Sequence, residues 1–199
     1  MVESVVLNVG CGSTRIPGSI GVDQVEIDGC VDVVHNLNEL PYPFINDYAD
    51  EIHFYHVLEH LDDPVAKMEE LHRILKPGGT LFMRVPHFSS HGAFTDITHK
   101  RPYSYFSFDI FLPEAYHSWY SDCRFHMESR QIKYFGQYPN EGVYEQYIHN
   151  NKCHIFVKPI VRTINFLTAL SPIAFERLWC FWVGGACEIS FRMKKIPAS

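Results

Sequence analysis

The sequence predicts an α/β domain of the doubly wound type, and three observations carry that expectation. The run Val5 to Val9 is short, apolar and β-branched, and it ends in Gly10-Cys11-Gly12; a strand buried on both faces of a parallel sheet reads this way. Glu51 to Tyr55, a helical pattern from Asp63, the stop Lys76-Pro77-Gly78-Gly79 and the run Thr80 to Val85 make a strand, helix, strand series. Such a βαβ unit has a right-handed crossover by default. The remaining apolar runs bring the strand count to about seven, with helical segments between them.

Taken in order, the second strand is Ile20 to Asp23, closed by a carboxylate, and the third is Val31 to Val34. Only about ten residues separate Gly10 from Ser19, fewer than the roughly dozen that a helical crossover needs. Pro17 and Gly18 fall within them, so the first helix is expected to be reduced to a turn or missing. The clearest helix follows Asp63 as N-cap, with Pro64 at its first position. Val65, Met68, Leu71 and Leu75 form its apolar stripe, and Lys67, Glu69, Glu70 and Arg73 the opposite, polar face. From Pro86 to Arg124 the chain is crowded with histidines and aromatics, and a helix is expected within Tyr103–Tyr116. Met127 to Phe135 reads as a strand, Ile155 to Leu170 and Pro172 to Phe181 as helices, and Cys187 to Met193 as a final alternating strand.

The 199 residues suit a single domain over 1–199, with 87–125 as a lid or acceptor-side segment. A composition of 46% hydrophobic and 20% charged residues can bury a core. The net charge of −6 and the absence of clustered Lys and Arg argue against a nucleic-acid partner. Six scattered cysteines without a CxxC pair, and an N-terminus without a secretory pattern, predict reduced thiols in a cytoplasmic protein. The apolar stretch 160–183 is interrupted by Arg162, Asn165, Glu176 and Arg177, so no membrane span is expected. Its helices carry Ile160, Ile164, Leu167, Leu170, Trp179, Phe181 and Trp182. That is enough apolar surface to suggest a homodimer contact or a hydrophobic acceptor.

The sharpest local signal is Asn8-Val9-Gly10-Cys11-Gly12 at a strand's carboxyl end. Glycines there allow a tight turn and close backbone approach to a ligand. Asp23 closes the next strand, where a carboxylate can accept both hydroxyls of a ribose, and Asn36 stands where an amide could address an adenine edge.

The series LNVGCG, IGVD, NLNELPY, ADEIHFYHVLEHL and LHRILKPGGTLFMRVPH, over roughly residues 5–90, resembles the class I S-adenosylmethionine-dependent methyltransferases. Within them it is most similar to the ubiquinone/menaquinone type. The resemblance implies a sheet ordered 3-2-1-4-5-7-6 with the last strand antiparallel, and S-adenosylmethionine as cofactor. It implies Gly10, Cys11 and Gly12 at the methionine part, Asp23 at the ribose, Asn36 and Leu37 at the adenine, and His56 beside the cofactor. The sequence departs from the pattern at Asn8, where an acidic residue is usual, and at Thr14, where a third glycine is usual.

Two rivals are set against this reading. A nicotinamide-dependent oxidoreductase needs GxGxxG, and Arg15 stands at the third glycine. A catalytically silent binding subunit is compatible with the lost acidic residue and the short first connection. A metal centre is not expected, because His56-Val57-Leu58-Glu59-His60 is not HExxH and its Glu is misplaced for a base. His60 is expected to cap or pack.

Methyl transfer to a small-molecule acceptor is assisted by a base when the nucleophile carries a proton. The candidates follow the fifth strand: His87 at its carboxyl end as base, and Asp96 with His99 three residues on as a carboxylate–imidazole pair.

Overall fold

A computed structural model describes residues 4–134, 163–182 and 185–197. It has strands β1 (Val6–Val9), β2 (Ile20–Asp23), β3 (Val33–Val34), β4 (Ala49–Tyr55), β5 (Leu75–Pro86), β6 (Phe125–Tyr134) and β7 (Ala186–Lys195). They form one seven-stranded sheet in the order β3-β2-β1-β4-β5-β7-β6. β1 to β5 pair in parallel, and β7 runs antiparallel to both β5 and β6. The order reverses between β1 and β4, and the crevice beyond their carboxyl ends is where such a sheet accommodates a ligand.

The central strands are buried on both faces, as their apolar runs require. Leu7, Ile52, Phe54, Leu81 and Met83 are fully buried, as are Met68, Leu71 and Ile74 on helix α1 (Pro64–Ile74). Asp63 caps α1, its Oδ1 accepting the Ala66 N–H at 3.1 Å. Leu75 is the first residue of β5 rather than the end of the helix, and Lys76 to Gly79 make a bulge in that strand opposite Ala49 and Glu51 rather than a separate stop. The helix's polar face is not solvated throughout. Lys67 and Glu70 are buried; Lys67 Nζ donates to the Asn38 carbonyl at 2.9 Å, and Glu70 Oε1 accepts the Tyr42 N–H at 2.6 Å. Both grip the segment that leads into the crevice.

The first crossover holds no helix, as its length requires. Its departures from the usual motif explain how it is held instead. The Asn8 amide donates to the Thr14 carbonyl at 2.9 Å, a bond a carboxylate in that place could not make. Arg15 ties the loop to the next strand: its guanidinium lies 2.9 Å from Asp32 and donates to the Ser19 carbonyl at 2.9 Å.

No helix forms within Tyr103–Tyr116 beyond one 3-10 turn at Asp109–Phe111. Serines compete with the helical backbone there, the Ser104 N–H bonding Ser107 Oγ at 2.8 Å. The aromatics act as separate anchors: Tyr103, Phe108 and Phe111 are buried, and Phe108 stacks on Tyr103 and meets Phe191 of β7 edge-on. Near the C-terminus residues 163–170 are helical, and Pro172–Ala174, Phe175–Trp179 and Cys180–Trp182 form a second helix with a π-helical middle. The expected helical residues 155–162 and Phe135 lie outside the described residues. Among the described residues no helix is long and apolar enough to cross a membrane. The described cysteines Cys11, Cys30, Cys123, Cys180 and Cys187 are unbridged.

Candidate active site

A cleft of about 670 Å³ opens beyond the carboxyl ends of β1, β2 and β4. That is within the roughly 300–1,000 Å³ range of small-molecule sites. Gly10, Asp23, Gln24, Leu37, Asn38, His56 and Val57 line one side; His60, Leu61, Ile97, Thr98, His99 and Lys100 line the other.

The first side is built by the β1 and β2 ends. Gly10 takes φ +71°, and a Cβ there would lie 2.2 Å from Val57 Cγ2, so only glycine lets the two strand ends meet. Gly12, at φ +51°, has open space around its Cα, and its N–H donates to Asp23 Oδ2 at 2.8 Å. The other carboxylate oxygen accepts the Val25 N–H at 3.3 Å. Asp23 is thereby fixed across the mouth of the glycine turn, with lone pairs left for further donors.

His56 follows β4 in the left-handed region, φ 56°. Its Nε2 lies 3.1 Å from Glu188 Oε2 and its Nδ1 3.3 Å from Glu59 Oε1, both carboxylates being buried. Burial alone would lower the imidazole pKa, but the hydrogen bonds and charges of Glu188 and Glu59 outweigh it and raise the value from 6.5 to about 9. Glu188 is displaced the opposite way. Burial pushes it up, yet His56, Lys133 and Arg84 together hold it at about 2. His56 is therefore a cation at neutral pH on the floor of the cleft.

The second side is the segment after β5, docked on the turn Leu58–His60. The Lys100 N–H donates to the Glu59 carbonyl at 2.7 Å, Lys100 Nζ to Asp62 at 2.6 Å, and Tyr103 Oη to the Leu58 carbonyl at 3.2 Å. His99 Nδ1 donates to the Ala93 carbonyl at 3.3 Å, while its Nε2 is 3.9 Å from Asp96 Oδ2, too far for a hydrogen bond. Asp96 instead accepts from Thr98 N–H and Oγ1 at 2.8 and 2.6 Å, and Thr98 Oγ1 lies 2.8 Å from His60 Nδ1. The expected Asp96–His99 pair stands at ion-pair distance only, and the hydrogen bonds of Asp96 run instead through Thr98 toward His60.

Of the residues singled out in the sequence, Gly10, Asp23, Leu37, His56 and His99 line the cleft. Cys11 is buried beneath the turn, its Sγ against the Cys30 carbonyl at 3.5 Å. Asn36 turns its amide to Glu39 Oε1 at 3.0 Å and its oxygen to the Asn38 N–H, which leaves Leu37 and Asn38 at the cleft. His87 does not line it. It is fully buried, Nδ1 accepts the Ser89 N–H at 3.1 Å, and Nε2 is left to donate to Glu176 Oε1 at 3.2 Å. With both ring nitrogens committed, it braces the end of β5 against the C-terminal helix. Gln24, Asn38, Thr98 and Lys100 were not singled out from the sequence. Gln24 could have been, as the neighbour of Asp23 at a strand end; the others depend on long-range docking.

A family model described as a methyltransferase domain matches residues 21–83. Curated proteins give no match. Many solved structures are similar in fold, among them these three chains. A chain of the complex between the Haloferax volcanii Trm112 methyltransferase activator and a methyltransferase has TM-score 0.55 at 16% identity, covering 98% of this chain and 83% of that one. YcgJ protein from Bacillus subtilis has TM-score 0.52 at 14% identity, with 99% and 93% covered. An S-adenosylmethionine-dependent methyltransferase from Thermotoga maritima has TM-score 0.52 at 14% identity, with 98% and 83% covered. The matched segment runs from β2 through α1 into β5 and includes the carboxyl ends of β2 and β4 at the cleft. The sheet order is the one that the resemblance implies, and the family match identifies a methyltransferase domain across residues 21–83.

Proposed function

We propose that the cleft binds S-adenosylmethionine along Gly10, Gly12, Asp23, Leu37 and His56, and passes its methyl group to a small-molecule acceptor held by the segment 97–100. The observation that carries this reading is Asp23. A carboxylate fixed by the Gly12 N–H at 2.8 Å, on the cleft wall and with spare lone pairs, suits a ribose diol. The residues fit the rest of the cofactor too: the apolar Leu37 and Val57 suit an adenine face, and the His56 cation suits the carboxylate of the methionine part. Once bound, S-adenosylmethionine supplies an electrophilic methyl carbon on a sulfonium.

The chain's own contribution is orientation and exclusion of water. The cofactor wall is stiffened by Arg15 and Asn8, and the segment 87–125 serves as the acceptor-side cover, pinned at Lys100 and Tyr103. His99 stands on that cover as an acceptor contact, with Asp96 and Thr98 positioning the wall around it. His87 is left the work of a brace.

Binding is tested by thermal shift with S-adenosylhomocysteine and with NAD, since a ligand that binds the native state raises its melting temperature by mass action. S-adenosylhomocysteine should shift it and NAD should not. Turnover is tested with methyl-labelled S-adenosylmethionine against pooled hydroxyl- and amine-bearing small molecules. Homocysteine-form binding with no transfer to any pool would favour a silent binding subunit.

The C-terminal helices expose Phe166, Leu167, Leu170, Leu178 and Trp182, each more than half accessible. We infer that this surface meets a second copy of the chain, and light scattering should find a dimer whose population falls in Leu170→Glu.

A further inference from the structure

We propose that Glu59, His60 and His99 bind one divalent transition-metal ion, with zinc the best match to the donor set, on the acceptor side of the cleft. One ligand atom from each residue lies within 4.8 Å of those of the other two, although Glu59 and His60 are far from His99 in sequence. The imidazole rings meet edge to face with centroids 4.6 Å apart.

Hydrogen bonds set the tautomer of both rings. A carbonyl only accepts, so the bond from His99 Nδ1 to the Ala93 oxygen places the proton on Nδ1 and the lone pair on Nε2. Thr98 Oγ1 gives its own proton to Asp96 Oδ1 at 2.6 Å, so toward His60 Nδ1, at 2.8 Å, it must accept. His60 therefore also carries its lone pair on Nε2. A carbonyl or a hydroxyl–carboxylate chain behind the far nitrogen is the outer shell that metal-binding histidines have.

Glu59 supplies the second, independent observation. It is fully buried, and among the described residues its Oε2 has no hydrogen-bond partner. Oε1 is 3.3 Å from His56 Nδ1 at ion-pair distance, and Oε2 has no such neighbour. A buried carboxylate oxygen without a donor is unfavourable, and a cation shared with two neutral imidazoles relieves it. Two imidazoles and one carboxylate are the three-ligand set of open zinc sites, which leave a fourth position for water or substrate. His60 and His99 line the cleft. A metal held there would lower the pKa of a coordinated hydroxyl, so the acceptor class is a hydroxyl compound. That last step rests on the methyl-transfer reading; the metal site itself does not.

The test uses the full chain freed of metal with a chelator and titrated calorimetrically with Zn²⁺, alongside His99→Ala, Glu59→Gln and Thr98→Val. One equivalent should bind wild type. Affinity should drop more than 100-fold in His99→Ala and Glu59→Gln and about 10–100-fold in Thr98→Val, the usual effect of losing an outer-shell partner. Co²⁺ should give a visible d–d spectrum without a thiolate charge-transfer band. Absent zinc binding, equal affinity in wild type and His99→Ala, or a thiolate band that marks a cysteine site would each overturn the proposal. The S-adenosylhomocysteine thermal shift is recorded on the same samples. A lost metal site with that shift intact refutes the metal alone, and a lost shift with zinc still bound refutes the cofactor reading alone.

Discussion

Neither side of the cleft is built on a helix longer than a single turn, yet the two are held in opposite ways. The β1–β2 side is tied locally and by polar bonds: Asn8 to Thr14, Gly12 to Asp23, Arg15 to Ser19 and Asp32. The side after β5 is held by distant partners and buried rings: Lys100 to Glu59 and Asp62, Tyr103 to Leu58, and His87 to Glu176 some ninety residues on. A loop held by local bonds can present a fixed carboxylate to a cofactor. A loop held by remote anchors depends on the rest of the fold, which suits a cover whose shape varies with the acceptor.

Substitutions on the two sides should therefore differ in kind. The largest effect is expected from His87→Ala, which empties a fully buried ring site and takes one of two donors from the buried Glu176 carboxylate, the Tyr105 N–H remaining. Losing a hydrogen bond to a charged group costs about 1.5–3 kcal/mol, the emptied ring site adds to it, and denaturant unfolding should show the loss while S-adenosylhomocysteine still binds the remaining folded protein. Gly10→Ala comes next, because its Cβ would overlap Val57 at 2.2 Å and its φ is +71°. Overpacking of this kind costs about 1–3 kcal/mol, and the cofactor shift should vanish with it.

Glu70→Gln tests the bridge between α1 and the cleft through pH. Burial raises this carboxyl's pKa, but the Arg73 hydrogen bond and the Tyr42 N–H bring the net value below normal. A lowered folded pKa stabilises above the unfolded value near 4.5 and is lost as pH falls through the folded one. Wild type should lose melting temperature on acidification below that value, and Glu70→Gln should start lower at neutral pH and fall less. The smallest effect on stability is expected from Arg15→Ala. Its partly exposed ion pair is worth about 0–1 kcal/mol, but cofactor affinity should drop because the turn loses its tie. Equal losses of affinity from Arg15→Ala and His87→Ala would remove the distinction between the two sides.

The same difference governed what could be read in advance. The place of Gly10 and Asp23 at the cleft was legible because the glycine turn and the strand-end carboxylate are local features that the sheet brings together in a fixed register. The missing first helix followed from the short connection and from Pro17 and Gly18 within it. His87 misled because position at a strand's carboxyl end does not fix where the side chain turns, and Glu176, its partner, lies 89 residues away. Asp96 and His99 suggested a pair by their spacing, whereas the Ala93 carbonyl and Thr98 took those bonds. His60 looked structural and Glu59 misplaced for a base from the motif, and nothing short of the tertiary fold places His99 beside them.

The most direct measurement is calorimetric titration of S-adenosylhomocysteine into wild type and Asp23→Ala, with circular dichroism confirming that both are folded. Asp23 is held across the glycine turn on the cleft wall, so wild type should bind one equivalent and Asp23→Ala should bind at least 100-fold more weakly (~2.7 kcal/mol). Binding of equal strength in the folded variant would contradict the assignment of this cleft to the methyl donor.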